Sequence, residues 1–116
     1  MSAWHVRVAQ QAEQDIVAIL KWMADQFGSQ QVDMYSETLT LSLTALFEGP
    51  TLQDVRARDD IQPDLLTLHV ARQGRCGRHF VVFQIDNDHH CIDVLRVLHD
   101  SMDLQRHVGD KGKRLL

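Results

Sequence analysis

Cysteine is scarce in this chain of 116 residues, in which only Cys76 and Cys91 carry a thiol. Strands predicted at residues 78–85 and 91–99 form a hairpin, so Cys76 lies at its open end and Cys91 at its turn. At roughly 3.3 Å per residue the two are on the order of 30 Å apart, which is beyond disulfide reach. We therefore expect two free thiols, which fits a reducing compartment.

Long apolar runs are missing as well. No window approaches about 18 consecutive apolar residues, so no membrane span is predicted. Residues 1–5 lack the basic and apolar stretches that begin a signal peptide. We therefore expect a cytoplasmic protein that does not associate with membranes. The length and a hydrophobic content of 44% predict one domain over residues 1–116, able to bury roughly 65% of the surface of its unfolded chain.

Motifs of catalytic and metal-binding chemistry are also absent from the sequence. The two cysteines lack the histidine and amide or carboxyl partners of an activated nucleophile. No Gly-flanked serine, phosphate-binding glycine loop or zinc signature occurs. Asp86, Asp88, His89, His90 and Cys91 cluster in one turn, but nearly consecutive residues do not converge on a metal ion. We interpret that cluster as an ordinary polar turn and expect neither a metal nor a cofactor.

Net positive charge is lacking too, since the formal net charge is −4. Residues 1–60 contain four basic and nine acidic side chains, whereas residues 61–116 contain eight basic and seven acidic ones. A chain of this charge is not an electrostatic trap for nucleic acid, and no direct sequence-specific binding to nucleic acid is expected. Any basic surface must come from the second half, from Arg72, Arg75, Arg78, Arg96, Arg106, Lys111, Lys113 and Arg114.

Two helices are predicted from apolar residues that recur at helical spacing. The first begins at residue 11 and ends at Gly28, a residue that suits a helix C-terminus. The second has Ser29 as its N-cap and stops at Gly49-Pro50, so the two helices form a tight antiparallel hairpin. The apolar stripe of the first helix consists of Ala12, Ile16, Ile19, Leu20, Met23 and Phe27. The main apolar stripe of the second helix consists of Val32, Tyr35, Leu39, Leu43, Leu46 and Phe47. A second stripe on helix two is either the flank of the core face or a groove for a partner chain; it consists of Met34, Thr38, Leu41 and Ala45.

Strands are predicted on both sides of this hairpin. Residues 4–8 alternate between apolar and polar side chains, as a half-buried strand does. After a polar, irregular connection over residues 51–64, strands at 65–72, 78–85 and 91–99 follow one another as an antiparallel meander. The fold class is therefore α+β in the order β-α-α-β-β-β, with the helical hairpin packed on one face of an antiparallel sheet. A short C-terminal helix or tail completes it, with residues 110–116 as a flexible tail.

The turn after residue 85 predicts the register of the last two strands. Placing Ile85 opposite Ile92 gives the further pairs Phe83–Val94, Val81–Arg96, Phe80–Val97 and Arg78–His99. One face of the sheet is then the better core, with Val81, Phe83, Ile85, Ile92, Val94 and Leu98. The other face is mixed and offers an open surface for another molecule, with Arg78, Phe80, Val82, Gln84, Asp93, Leu95, Val97 and His99.

The end of the last strand gathers titratable side chains. Histidine titrates near neutral pH and arginine binds phosphate or carboxylate, so Arg78 and His99 are candidates for a phosphate-facing site. The alternative is a structural histidine bonded to Asp100 or Asp103, with Arg78 as a solvated charge. Asp100 or Ser101 would cap the short helix that follows, with Asp103 in its first turn.

The sequence VLRVLHDSMD at residues 94–103, together with the layout of the chain, resembles the ParE branch of the RelE/ParE toxin superfamily. These proteins are the toxin halves of bacterial type II toxin–antitoxin modules. Asp15-Ile16 and Ile19 resemble the opening "A..DI..I" pattern of the family, and Gly49-Pro50 matches the usual stop after helix two. Residues 78–83 match its aromatic-rich middle strand. The resemblance covers most of the chain.

The resemblance implies a cytoplasmic toxin that a co-expressed antitoxin neutralises by wrapping its surface. ParE-like members inhibit DNA gyrase, whereas RelE-like members are ribosome-dependent mRNA nucleases that hold mRNA with Arg and Lys beside a Tyr or His. Residues 65–99 contain no Lys and no Tyr, which favours a non-enzymatic gyrase inhibitor without catalytic residues. The alternatives are an mRNA interferase that uses Arg78 and His99, and a degenerate, non-toxic homologue that only binds antitoxin.

Two sets of interaction residues follow from this resemblance. We expect Arg96 to support the sheet and the region from His99 to Asp103 to form the target-facing end. The candidates for contact with the target or a partner are Arg72, Arg75, Arg78, Arg96, His99, Asp103 and Arg106. The candidates for contact with the antitoxin lie on the second stripe of helix two and on the mixed sheet face, and they are Met34, Leu41, Phe80 and Val82.

Overall fold

Two helices and five strands make up the part of the chain that the computed structural model describes, residues 4–49, 52, 54–60 and 62–100. The α+β class and the helical hairpin are as predicted from the sequence. In chain order the elements are β1 (His5–Val8), α1 (Gln10–Phe27), α2 (Ser29–Ala45), a 3-10 turn (Leu46–Glu48), β2 (Arg56–Ala57), β3 (Leu65–His69), β4 (His79–Asp86) and β5 (Cys91–His99). No helix in these residues is both long and apolar enough to cross a membrane. The short helix and the tail predicted beyond residue 100 lie outside the described residues.

Gly28 ends α1, whereas α2 ends at Ala45 and Gly49 ends the 3-10 turn that follows it. Gly28 has φ of +88° and donates its N–H to the carbonyl of Ala24, as predicted for a helix C-terminus. The predicted N-cap at Ser29 is wrong, because Ser29 is already helical and Gly28 itself precedes α2 without any side-chain cap. Gly49 has φ of +90°, and a Cβ there would overlap the indole of Trp4. The chain therefore needs glycine at position 49 for both its backbone angle and its close neighbour.

The sheet has the strand order β1-β5-β4-β3-β2. β3, β4 and β5 form the predicted antiparallel meander, but β1 runs parallel to β5, so the sheet is mixed rather than wholly antiparallel. β1 and β5 are not joined by a hairpin turn, because most of the chain lies between them. The antiparallel direction that short turns impose on β3, β4 and β5 therefore does not apply to β1. The connection predicted as irregular contributes one short strand, since Arg56 and Ala57 pair with Thr67 and Leu66.

A β-bulge in β5 changes the predicted register. Ile85 lies opposite Ile92 and Phe83 opposite Val94, as predicted. The next pair is Val82 with Arg96, so Leu95 is an extra residue that faces no partner in β4. The predicted pairs Val81–Arg96, Phe80–Val97 and Arg78–His99 are therefore wrong, and the observed pairs are Val81–Val97, Phe80–Leu98 and His79–His99.

The bulge also exchanges the faces on which the end of β5 packs. The main core lies between the helices and the sheet, and Val97 joins it although it was predicted on the open face. Leu98, predicted in the main core, instead packs with Leu65 and Val82 in a second apolar cluster. The fully buried side chains of the main core are Ala12, Leu46, Leu68, Val70, Val81, Phe83, Ile92 and Val94.

Asp15 of α1 anchors the helical layer to this irregular part of β5. Its carboxylate accepts hydrogen bonds from Nε and Nη2 of Arg96 at 2.7 and 3.0 Å and from the backbone N–H of Val97 at 3.0 Å. Both side chains of the ion pair are largely buried, with 16% and 12% of their surfaces exposed for Arg96 and Asp15. Arg96 therefore supports the sheet through α1.

Candidate binding groove

A groove of about 790 Å³ opens between the Gly28 end of the helical hairpin and one end of the sheet. Its helical wall is apolar and comes mainly from Ile19, Trp22, Met23 and Phe27. Its sheet wall is polar and comes from residues 76–79 and 99, at the start of β4 and the end of β5. Volumes of this size are typical of sites that bind small molecules or a few side chains of a partner.

Two aromatic side chains on α1 are left half exposed at this groove. Trp22 exposes 57% and Phe27 59% of their surfaces, and their rings meet edge to face at a centroid distance of 5.8 Å. Phe27 was predicted in the apolar core stripe, but it is the last residue of α1 and lies beyond the buried turns. Neighbouring large apolar side chains at a surface indicate an interaction site more often than isolated ones do.

The polar wall is organised by Tyr35 of α2. Its hydroxyl accepts the backbone N–H of Arg78 at 3.2 Å and lies 2.5 Å from Nδ1 of His79. No other described residue accepts a hydrogen bond from this hydroxyl, so we assign its proton to Nδ1 of His79, which is then the unprotonated nitrogen. Neutral His79 therefore carries its proton on Nε2.

Burial keeps His79 neutral at physiological pH. Desolvation, aided by the charges of His99 and His69, lowers the pKa of His79 from 6.5 to about 4. Burial likewise raises the pKa of Tyr35, so its hydroxyl remains protonated. The pair is a hydrogen-bonded, uncharged unit at the base of the groove.

Asp100 is the hub of a second set of contacts at the same sheet end. It accepts hydrogen bonds from Nε2 of His69 at 3.0 Å and, with both oxygens, from Nε of Arg78 at 3.0 Å. Nδ1 of His69 accepts the N–H of Ala71 at 3.0 Å, so its proton lies on Nε2 and points to the carboxylate. These bonds from His69 and then Arg78 lower the pKa of Asp100. Asp100 is therefore ionised at neutral pH.

His99 lies at this end of the sheet as predicted, but its cross-strand neighbour is His79. The two imidazole rings meet edge to face with centroids 5.2 Å apart. Nδ1 of His99 is 3.7 Å from the nearer oxygen of Asp100, and 38% of its side chain is exposed. Arg78 and His99 both line the groove, so the structure brings the predicted pair to one site without placing them directly opposite each other.

The other predicted arginines within the described residues are each paired with an acidic side chain. Arg72 lies 3.0 Å from Asp54, and only 11% of its side chain is exposed. Arg75 lies 2.8 Å from Glu37, and Arg96 is held by Asp15. Arg78 also has an acidic partner, but 69% of its side chain is exposed. Two further candidates, Asp103 and Arg106, lie outside the described residues.

The residues predicted to face the antitoxin occupy different environments. Met34 and Leu41 on α2 are 52% and 46% exposed and are open to a partner. Phe80 is partly buried against the second apolar cluster. Val82 is fully buried in that cluster, so its predicted place at a binding surface is corrected. The apolar centre of the sheet face that the sequence predicted to be open is therefore buried.

Tyr35 and His79 were not predicted as site residues, whereas Asp100 belongs to the region from His99 to Asp103 that was predicted as the target-facing end. Tyr35 was assigned to the apolar stripe of helix two because its spacing fits the core, and 8% exposure agrees with that. Its hydroxyl has no sequence signal, since its partners are more than forty positions away. His79 would have been found had the bulge been known, because the corrected register pairs it with His99.

Both cysteines are free, as predicted. Cys76 is exposed and borders the groove, whereas Cys91 is buried at the start of β5. The turn that precedes Cys91 is closed by Asp86 and His89, whose Oδ2 and Nδ1 atoms lie 2.8 Å apart. That contact is of the kind expected for a polar turn.

Comparison with known proteins gives one family and several similar folds. A family model described as the ParE toxin of the type II toxin–antitoxin system parDE matches residues 6–104. A comparison with curated protein sequences finds no significant match.

Three solved structures are similar to the chain. One is a chromosomal ParDE toxin–antitoxin system from P. aeruginosa, with 15% identity, a TM-score of 0.68 and coverage of 84% of this chain and 96% of that one. Another is the RelBE2 toxin–antitoxin complex from Mycobacterium tuberculosis, with 16% identity, a TM-score of 0.54 and coverage of 85% and 93%. A third is the isolated RelE toxin of E. coli, with 16% identity, a TM-score of 0.50 and coverage of 98% and 100%. At these identities the likeness shows a shared fold.

Proposed function

Because the chain belongs to the ParE toxin family of type II toxin–antitoxin systems, we propose that it is a toxin that a cognate antitoxin neutralises and that, when free, inhibits DNA gyrase. It would act in the cytoplasm and without a cofactor. The similar structures from P. aeruginosa and M. tuberculosis are described as toxin–antitoxin systems or complexes, which supports a partner of the same kind here.

The groove beside Trp22 and Phe27 is the observation that carries the antitoxin part. Two half-exposed aromatic rings in contact with each other form an apolar surface that a partner would remove from water. Met34 and Leu41 of α2 are further exposed apolar side chains, and they lie outside the lining of the groove. Aromatic side chains at the centre of an interface frequently dominate its binding energy.

Charge pairing favours binding over RNA cleavage. A ribonuclease of this size must hold several phosphates with basic side chains. Arg72, Arg75 and Arg96 are each bound to an acidic neighbour, and Arg78 is the predicted arginine that combines a place in the groove with high exposure. The arrangement suits one contact with a protein partner better than it suits a track for RNA.

An mRNA interferase is the second candidate, because Arg78 and His99 do line one groove. Neutral His79 beside them adds a group that could accept or donate a proton. This activity predicts site-specific cuts in cellular transcripts that disappear in His99→Ala. A non-toxic homologue that only binds antitoxin is the third candidate, and it predicts complex formation without growth arrest.

Co-purification tests the antitoxin part. The chain should be co-expressed with the product of an adjacent small reading frame, and the two should elute together from a size-exclusion column. Trp22→Ala should weaken the complex by about 30-fold or more if this residue is a centre of binding. Val17→Ala is the matched control, since Val17 is a 65% exposed apolar residue of the same helix that does not line the groove. Equal losses in both variants would contradict the assignment of the groove.

A supercoiling assay tests the gyrase part. Purified free protein should inhibit DNA supercoiling by gyrase, and its expression alone should arrest growth with filamentation and a DNA-damage response. Sequencing of transcript ends from the same cells separates the candidates. If gyrase supercoils DNA normally in the presence of the protein and the transcripts are cleaved, the proposed gyrase inhibition is wrong and the protein is an mRNA interferase.

A further inference from the structure

We propose that the groove selects a peptide segment that presents an apolar side chain close to a carboxylate, with the carboxylate bound by Arg78 and His79. The selection rests on the proposed function, because the segment would belong to the antitoxin. It specifies the chemistry of the partner, which membership of the family does not.

Arg78 has a free hydrogen-bonding edge. Its contacts with Asp100 both use Nε, and no described residue accepts a hydrogen bond from its terminal nitrogens. A guanidinium carries five N–H groups and binds a carboxylate through two of them side by side. With 69% of the side chain exposed, on a residue that lines the groove, those terminal groups are open to a partner.

His79 supplies a second donor of fixed orientation. Tyr35 occupies Nδ1, so the proton of the neutral ring lies on Nε2. Among the described residues, no buried side-chain nitrogen or oxygen lacks a hydrogen-bond partner. No described residue is hydrogen-bonded to Nε2 of His79. That nitrogen is therefore in contact with solvent, on a residue that lines the groove.

The charge displayed by the groove favours an acidic partner. Arg78 is the ionised group among the described residues that line it, next to the two imidazoles of His79 and His99. Asp100 does not line the groove and exposes 18% of its side chain. Its charge is already shared between Arg78 and His69, so it holds the arginine in place while the outer edge remains available.

The apolar wall sets the other half of the selection. Trp22 and Phe27 form a surface for a branched or aromatic side chain, and Ile19 and Met23 continue it along α1. Burial of such a side chain provides most of the affinity, and the carboxylate adds the choice between partners. A peptide with only one of the two features would satisfy only half of the groove.

Small probes test this selection without the antitoxin. In a ¹⁵N-labelled full chain, the indole N–H signal of Trp22 should shift on titration with 4-phenylbutyrate and with 4-phenylbutyramide, which differ only in the carboxylate. We expect the carboxylate to bind about fivefold or more tightly than the amide. Arg78→Gln should abolish that preference and His79→Phe should reduce it.

Controls separate recognition from misfolding and from net charge. Arg58→Gln removes the same charge from an arginine that is paired with Asp60 outside the groove, and it should keep the preference. The dispersion of the amide spectrum reports the fold of each variant, and Arg78→Lys, which keeps the charge without the planar fork, should retain only part of the preference.

Three outcomes would overturn the inference. They are equal affinities for the two probes, a preference that survives Arg78→Gln, and a Trp22 signal that neither probe shifts because residues 101–116 or a second copy of the chain cover the groove. If the chain co-purifies with its antitoxin yet shows one of these results, only the proposed selection of a carboxylate is contradicted. The proposed toxin function would remain.

Discussion

The Tyr35 hydroxyl donates its proton to Nδ1 of His79, 2.5 Å away, and so decides which nitrogen of that imidazole carries the ring proton. The oxygen of the same hydroxyl accepts the N–H of Arg78 at 3.2 Å. One residue of α2 thereby positions Arg78 and His79 in the polar wall of the groove.

Replacement of Tyr35 tests this relationship. Tyr35→Phe leaves Nδ1 of His79 and the N–H of Arg78 without their partner. We therefore expect the free energy of unfolding, measured by urea titration, to fall by about 1–2 kcal/mol. The ¹⁵N shifts of the imidazole should show a mixture of tautomers where the native chain shows the form protonated on Nε2. A native tautomer in Tyr35→Phe would contradict the assigned hydrogen bond.

Lowering the pH should destabilise the native fold through His79. Its pKa is about 4 in the folded chain and 6.5 ordinarily, so between these values the unfolded chain binds a proton that the folded chain does not. Stability is therefore retained above pH 6.5 and is lost as the pH falls from 6.5 towards 4. Allowing for the partial solvent screening of this residue, we expect a loss of about 1–2 kcal/mol over that window.

Urea titrations at several pH values measure this loss. His79→Gln cannot take up the proton, and its stability should fall less steeply between pH 6.5 and 4. Asp60, Asp86 and Asp100, whose pKa values are lowered from 3.8, lose their contributions only below that window. Parallel curves for the native chain and His79→Gln would show that another group causes the pH dependence.

Asp15→Asn should be strongly destabilising. The neutral amide leaves the guanidinium of Arg96 without its counter-charge in a largely buried place, where the broken pair costs about 3–5 kcal/mol. Asp60→Asn is the control, because Asp60 pairs with Arg58 at an exposed site, and it should leave the midpoint of thermal unfolding nearly unchanged. Similar shifts in both variants would mean that the Asp15 contact is no stronger than a surface ion pair.

Gly49→Ala should destabilise more than Gly74→Ala. Both glycines have positive φ, of +90° and +80°, so each substitution strains the backbone by about 1 kcal/mol. At position 49 the new methyl group would also collide with Trp4, whereas at position 74 nothing lies within 4 Å. A difference of about 1–3 kcal/mol in the free energy of unfolding is expected from the collision. Equal effects would show that Trp4 moves aside freely.

The helices were predictable because their signals are local. Residues such as Ala12, Leu39 and Leu46 follow helical spacing and are buried as expected, and Gly28 and Gly49 have the positive φ that ends α1 and the 3-10 turn after α2. The pairing of β1 with β5, strands from opposite ends of the chain, was less predictable. Alternation along β1 predicts a strand but says nothing of its direction, and the parallel pairing with β5 depends on contacts distant in sequence.

The groove was predictable only in part. Arg78 and His99 were found because charged side chains at strand ends are visible in the sequence. The roles of Tyr35 and His79 were not, since a hydroxyl on an apolar helix face has the same spacing whether or not it bonds. The register beyond Val94 was also out of reach, because an apolar residue such as Leu95 fits an ordinary strand as well as a bulge.

The extra residue in β5 works as a change of phase along one strand. Before Leu95, the strand serves the helical core through Ile92 and Val94, and after it the alternation restarts with Val97 on that side. If Leu95 were instead paired as an ordinary strand residue, Leu98 would turn towards the helices and Val97 away from them. In that register Leu98, and not His99, would lie opposite His79, so the pairing of the two imidazoles depends on a bulge in a strand segment that does not line the groove.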